Sequence, residues 1–521
     1  MKKFLPLFFL MFAHPAFAQH QDVLHYQYSI TLSDRSDTIK GEAMVRFVQR
    51  SGHAVVELDL VSLQKNGKGM KVTSVKGGNN REFSFAQQEG SLKIDIPSIQ
   101  IGDTSILYIR YQGIPANGLI ISKNKYGDRT FFSDNWPDRA HHWIPCNDRP
   151  DDKASFEFIV TAPSYYRVIS NGVLVGEKEI SKGWKKTHWK EIIPQPTKVM
   201  VIGAARFAVK TFADSPRDIP VSAWVYPKDS AKGFHDYALA PSILQYFSNY
   251  IGPYPYRKLA NVQSKTMFGG MENASAIFYS ENSVTGTRES EDLLAHEIAH
   301  QWFGNMASEK SFSHLWLSEG FATYLTNIYL EQKYGEEKMR ERMEEDRDQV
   351  VQFATKHDHP VVDSSCNYMD LLNANSYQKG GWVLHMLRNE VGNTSFQKIL
   401  QTYYERFKGG NADTREFEGV VEEVTGKEMT WFFDQWLYRA GIPELKMETS
   451  IHDDTFHLYI KQKDDVYRFP LDVHIVLEDG ELIMKRFEVS EKESEFKVPV
   501  KGTSVKFSID PDVKLLYRLR D

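Results

Sequence analysis

The chain has 521 residues, 41% of them apolar and 25% charged. That is room for about three domains with cores of their own, and too ordinary a balance for wholesale disorder. A formal net charge of -6 excludes a strongly basic nucleic-acid binder, and two cysteines, Cys146 and Cys366, exclude both a disulfide scaffold and a cysteine-based structural zinc site. A single bridge between the two stays open.

The amino terminus reads as an export leader over residues 1–18. Lys2 and Lys3 are a basic start, residues 4–12 are apolar but too few to span a bilayer, and Ala16-Phe17-Ala18 is a small-x-small cleavage site. The expectation is an exported chain, periplasmic or secreted, cleaved near Ala18. No cysteine follows the apolar run, so no lipid anchor is expected, and no later stretch is long and apolar enough for stable membrane insertion.

Residues 19–205 alternate polar and apolar side chains in short runs, among them 26–32, 55–60, 105–111 and 155–160, separated by Gly, Asn, Asp and Pro. Such a two-residue period predicts an N-terminal β domain. From about 230 the period becomes helical. Helices are predicted over 238–250 (stopping at Gly252-Pro253), 289–302, 315–334, 335–353, 380–391 and 431–439. The mixed-sign run 336–342 reads as a solvated helix face. After Gly441-Ile442-Pro443 the alternation returns, as in 456–460 and 486–489, which predicts a small C-terminal β domain over 443–521. The helical part between them is 206–442. No internal repeat is present.

His296-Glu297-Ile298-Ala299-His300 is the strongest signal in the chain. Two histidines four apart on a helix differ by about 40° in azimuth and ~6 Å in rise, so both imidazoles face one point, as two ligands of one zinc ion do. Glu297 flanks the same face, where it is placed to take a proton from a water activated by the metal. A second helical segment carries Glu319, and the intervening loop lets it pack back on the first. Glu319 is then a third ligand, and a fourth position is left for water, the arrangement of a catalytic rather than a structural zinc. Thr323, one turn on, reads either as a hydrogen-bond partner of a ligand histidine or as an ordinary helix threonine.

Here the sequence resembles the zinc aminopeptidases that include aminopeptidase N and leukotriene hydrolase, gluzincin metallopeptidases. The likeness rests on H-E-x-x-H-x18-E over 296–319 and on Gly269-Gly270-Met271-Glu272-Asn273, a form of the family's G-x-M-E-N motif. Pro145-Cys146-Asn147-Asp148-Arg149-Pro150, Tyr377-Gln378-Lys379-Gly380 and Phe432-Phe433-Asp434-Gln435-Trp436-Leu437 are further similar stretches. The resemblance implies a multidomain α+β fold: an N-terminal β domain, a thermolysin-like, mainly helical catalytic domain and a small C-terminal β sandwich. It implies a zinc-dependent aminopeptidase with one zinc per chain, held by His296, His300 and Glu319, and peptide substrates with a free N-terminus. Glu297 is then the general base, and Tyr377 the donor to the oxyanion. Gly269, Gly270, Met271, Glu272 and Asn273 bind substrate, with Glu272 pairing the α-ammonium.

Three features depart from the family. The position of its second ammonium ligand falls on Trp136, with Asp134 and Asn135 as neighbouring candidates; its common aspartate before the third ligand falls on Ser313; and the large helical domain that roofs the cleft in larger members is not expected here, which predicts a more open site. Two other readings remain at this stage: an endopeptidase on the same metal site, which Glu272 opposes, and an inactive relative acting as a binding protein, which the full set of ligands and base opposes.

Overall fold

A computed structural model describes residues 21–216, 218–500 and 506–520. The leader reading over residues 1–18 lies outside the described residues. The alternation at 26–32 belongs to a strand, Gln21–Ser33, that buries Tyr26, Tyr28, Ile30 and Leu32. A bulge between Val23 and His25 takes up the one place where the period slips. This strand is central in a seven-stranded sheet. It pairs parallel with Ala154–Pro163 and antiparallel with Ser36–Gln49, and beyond the latter lie Thr104–Ile114 and Gly69–Gly77. A four-stranded sheet (Arg167–Ser170, Ile202–Ala205, Arg129–Ser133, Leu119–Lys123) and a three-stranded one around Gly90–Asp95 complete the N-terminal β layers.

A five-stranded sheet follows, in the order Ala208–Thr211, Val221–Val225, Leu259–Ser264, Ala276–Ser280 and Gly270–Met271, so that Gly270–Met271 forms an edge. The core of the N-terminal layers runs on into this sheet through Ala260, Val262, Met271 and Phe278. The helices behind it are Ala240–Tyr250, Glu291–Ala299, Trp316–Tyr334, Glu336–Ala354 and Gly380–Val391. Two further helices, Asn393–Phe407 and Thr414–Thr425, were not predicted. The second had a legible signal. Asp413 accepts from Glu416 N and Glu416 returns the bond to Asp413 N, a capping box, and Gly426 ends the helix in the left-handed conformation.

From Glu444 the chain forms two small sheets, one around Thr455–Gln462 and one around Phe469–Val476. Their inward residues Phe456, Leu458, Leu471 and Val473 belong to the same core as the helices, so this layer is packed on the helical part without a break. The expected fold class, a β-rich N-terminal part, a helical catalytic part and C-terminal β layers, is the one observed. Among the described residues no helix is long and apolar enough to cross a membrane. Both cysteines are free, Cys146 buried and Cys366 half-buried, so the bridge left open above does not form.

Candidate active site

His296 and His300 lie on and at the end of the helix Glu291–Ala299; Glu319 lies in the first turn of Trp316–Tyr334, which packs against it. The helix spacing does what the sequence predicts. His296 Nε2 and His300 Nε2 stand 3.0 Å apart, and Glu319 Oε2 is 3.3 Å from the first and 3.2 Å from the second. Two imidazole nitrogens and a carboxylate oxygen facing one point fit a divalent ion such as zinc. The far nitrogen of His300 is already occupied: Nδ1 lies 3.1 Å from the Phe303 carbonyl and 3.1 Å from Ser318 Oγ, which turns Nε2 to the centre. Sequence reasoning offered Thr323 for that task. The structure gives it to Ser318, the residue beside Glu319, because the first turn of the second helix is the part that reaches His300. Thr323 lines the cleft instead.

The edge strand Gly270–Met271 runs over Glu297. A Cβ at Gly270 would overlap the Glu297 carboxylate, so only glycine admits this approach. Glu272, next along, is buried and lines the same cleft of about 390 Å³ as the metal ligands, Glu297 and Tyr377. Its backbone carbonyl is pinned by two amides the sequence reading did not single out, Gln301 Nε2 at 2.8 Å and Asn305 Nδ2 at 2.7 Å, both just beyond the metal-ligand helix. Its Oε1 has no hydrogen-bond partner among the described residues. Asn273 is buried behind it, with its own carbonyl accepting from Ala276 N.

Burial raises the carboxyls of Glu297 and Glu272, Glu297 well above its ordinary range. At His300 burial opposes the charge, but Glu319 outweighs it and lifts the imidazole to about 10. Burial would likewise push Glu319 up, and the two histidines outweigh that and hold it far below a normal carboxylate. Tyr377 stacks beside His296, centroids 6.0 Å apart, and burial together with three nearby glutamates keeps its phenol protonated. It sits in a π-helical turn, Asn375–Lys379. The next residue, Gly380, meets Gly320 on the Glu319 helix so closely that a Cβ on Gly320 would lie 2.8 Å from the Gly380 backbone. Two glycines thus bring the tyrosine and the glutamate into one site.

Of the three candidates around residue 136, Asp134 is paired with Arg139 at 2.6 Å and accepts from Met267 N, and Asn135 bonds the carbonyls of Thr197 and Met200. Neither lines the cleft. Trp136 does, edge-on to Phe268 and Phe312, so this wall is apolar. Arg342, read in the sequence as part of a solvated face, also lines the cleft and donates to Asn327 Oδ1 at 3.3 Å.

The peptidase M1 N-terminal domain model matches residues 22–199, and the peptidase family M1 domain model matches 236–436. Glutamyl aminopeptidase of Bos taurus is 28% identical over 334 residues, 61% of this chain and 35% of that protein. Leucyl aminopeptidase of Saccharolobus solfataricus is 24% identical over 506 residues, 93% of this chain and 62% of that one. A crystal structure of Legionella pneumophila aminopeptidase A in complex with aspartic acid superposes with a TM-score of 0.83 at 18% identity, covering 96% of this chain and 60% of that one. The chain therefore spans between about a third and three fifths of the length of these relatives. A shared fold, two family models lying side by side along the chain and the metal-binding pattern within the second of them agree: the chain belongs to peptidase family M1.

Proposed function

We propose that this chain is a zinc-dependent aminopeptidase that removes N-terminal residues from peptides. The observation that carries the reading is Glu272: a buried carboxylate with an unpaired oxygen, lining the same cleft as the three metal-binding side chains and Glu297. A substrate's α-ammonium satisfies that oxygen, and an internal peptide bond has no such group to offer. The relatives carrying the names glutamyl and leucyl aminopeptidase support the same class.

His296, His300 and Glu319 are the side chains that would hold zinc. When bound, the ion polarises the scissile carbonyl and acidifies water. Glu297, held up by burial, accepts the proton of the attacking water and returns it to the leaving amine. The Tyr377 hydroxyl donates to the oxygen that gains charge at the scissile carbon. Gly269, Gly270 and Met271 form the edge on which the substrate backbone lies, while Asn273, buried behind Glu272, stands back from the cleft. Export to the periplasm or medium is part of the proposal and rests on Lys2, Lys3 and Ala16-Phe17-Ala18.

The test compares a free-amine peptide with its N-acetylated twin. The free peptide is expected to lose one residue at a time, and the twin to react about 100- to several-thousand-fold more slowly in kcat/KM, the worth of a buried charge pair of about 3–5 kcal/mol. Equal cleavage of both, or internal cuts, would overturn the reading.

A further inference from the structure

Among the described residues, one other cluster brings three metal-binding atoms within 4.8 Å of one another: His359, Asp363 and Cys366. Asp363 Oδ2 lies 2.9 Å from Cys366 Sγ and 3.1 Å from His359 Nδ1, and the sulfur and the nitrogen are 4.0 Å apart. Around a tetrahedral zinc with bonds of ~2.0–2.3 Å, such donors stand ~3.3–3.7 Å from one another. The three atoms are therefore within a few tenths of an ångström of a ligand set before any ion binds. The catalytic ligands in the same chain, at 3.0 to 3.3 Å, are drawn in like the two Asp363 contacts, while the sulfur–nitrogen pair stands slightly wide.

The cluster is not a second hydrolytic triad. The thiol hydrogen is directed to the Asp363 carboxylate rather than to the imidazole, which holds the proton on sulfur and leaves no base for a nucleophile. Asp363 is buried, whereas the His359 side chain is 47% exposed, so one side of the cluster faces solvent and leaves room for a water as the fourth ligand. None of the three lines the catalytic cleft.

We infer that His359, Asp363 and Cys366 form a second divalent-cation site, one that takes zinc or another ion with an affinity for thiolate. Binding exchanges the thiol proton for the metal, and that proton passes to solvent. The site has a mechanical consequence. It lies in the segment between the helix Glu336–Ala354 and the turn that carries Tyr377, and Asn375 in that turn donates to the backbone carbonyls of His359 at 2.8 Å and Pro360 at 3.2 Å. Leu372, between the cluster and the turn, lines the catalytic cleft. An ion here ties 359 to 366 and so fastens the segment that leads to Tyr377.

The experiment is equilibrium dialysis of the purified chain against micromolar free zinc, with metal and protein quantified. Two zinc ions per chain are expected in the wild type, and one in Cys366→Ser and in His359→Gln. A thiol reagent supplies a measurement that needs no variant: Cys146 is fully buried, so Cys366 is the cysteine it reaches in the folded protein. Zinc beyond the first equivalent is expected to slow that reaction at least about tenfold, since a coordinated thiolate is shielded from attack. Equal zinc content in wild type and Cys366→Ser, or a thiol that reacts as fast with zinc as without it, would overturn the inference, and neither result bears on the catalytic ion.

Discussion

Gly270 and Tyr377 make the residue-scale claims sharpest. The obstacle to a side chain at 270 is the end of a flexible glutamate, not backbone, so alanine there displaces the Glu297 carboxylate and spares the strand. Gly270→Ala is expected to lower kcat by about 10- to 100-fold, the usual effect of moving a catalytic group by about 1 Å, with little change in the thermal midpoint. A fully active Gly270→Ala would show that Glu297 is not the base. Tyr377→Phe keeps the ring beside His296 and removes one hydroxyl. Turnover about 100-fold lower at nearly unchanged KM is expected, about 3 kcal/mol of transition-state stabilisation. Steady-state kinetics showing raised KM at unchanged kcat would assign Tyr377 to binding instead.

Between elements, the site is held by two lysines from the β layers, Lys153 half-buried and Lys198 buried. Lys153 Nζ donates to the carbonyls of Asn305, Met306 and Gly410, and Lys198 pairs with Glu309; the former reaches the loop after the metal-ligand helix, the latter the short strand Ser308–Glu309. Lys198 and Glu309 are both almost wholly buried, and each is the other's charge partner. Lys198→Met therefore leaves Glu309 buried and unpaired, and is expected to lower unfolding free energy by about 3–5 kcal/mol, read from the urea midpoint. Replacing both by apolar residues, Lys198→Met with Glu309→Leu, should recover most of that loss, because a buried pair is worth little net. A double variant as unstable as the single one would show that the lysine acts through its contacts and not its charge.

The whole molecule carries a pH dependence through His385. Its Nε2–H donates to the Val513 carbonyl, and its Nδ1 accepts from Tyr324, so the neutral ring joins the helices Trp316–Tyr334 and Gly380–Val391 to the loop between the last two strands. Burial holds the imidazole down at about 3. The unfolded chain therefore takes up this proton near pH 6.5 and the folded chain does not until about pH 3. Stability from this group is complete above pH 6.5 and falls by up to about 1.4 kcal/mol per unit as pH drops towards 3. Urea unfolding at pH 7 and pH 5 is expected to show the wild type losing about 2 kcal/mol more over that interval than His385→Gln. Equal losses would mean that His385 is protonated in the folded state.

Features set along a single stretch of chain were legible in the residues themselves. Two histidines four apart on a helix converge whatever surrounds them, and the two-residue period of the β layers appeared as strands because the pleat imposes it. Gly270, next to Met271 and Glu272, stood out through the family resemblance, as part of a substrate-binding stretch. What the glycine faces, Glu297, was decided by packing. So was the choice of Ser318 over Thr323: both sit on the helix that bears Glu319, and only the crossing of the two helices sets which hydroxyl meets His300. Trp136 reads as a vacancy in a ligand pattern, yet in the fold it is an apolar wall, because its neighbours Asp134 and Asn135 are drawn away by Arg139 and two backbone carbonyls. Gln301 and Asn305 gained their role only when the edge strand came to lie across them. Periodicity is a property of the backbone and is written locally. A hydrogen-bond partner on another element, as Ser318 is for His300 and Gln301 for Glu272, depends on how whole elements cross, which nothing short of the packed structure determines.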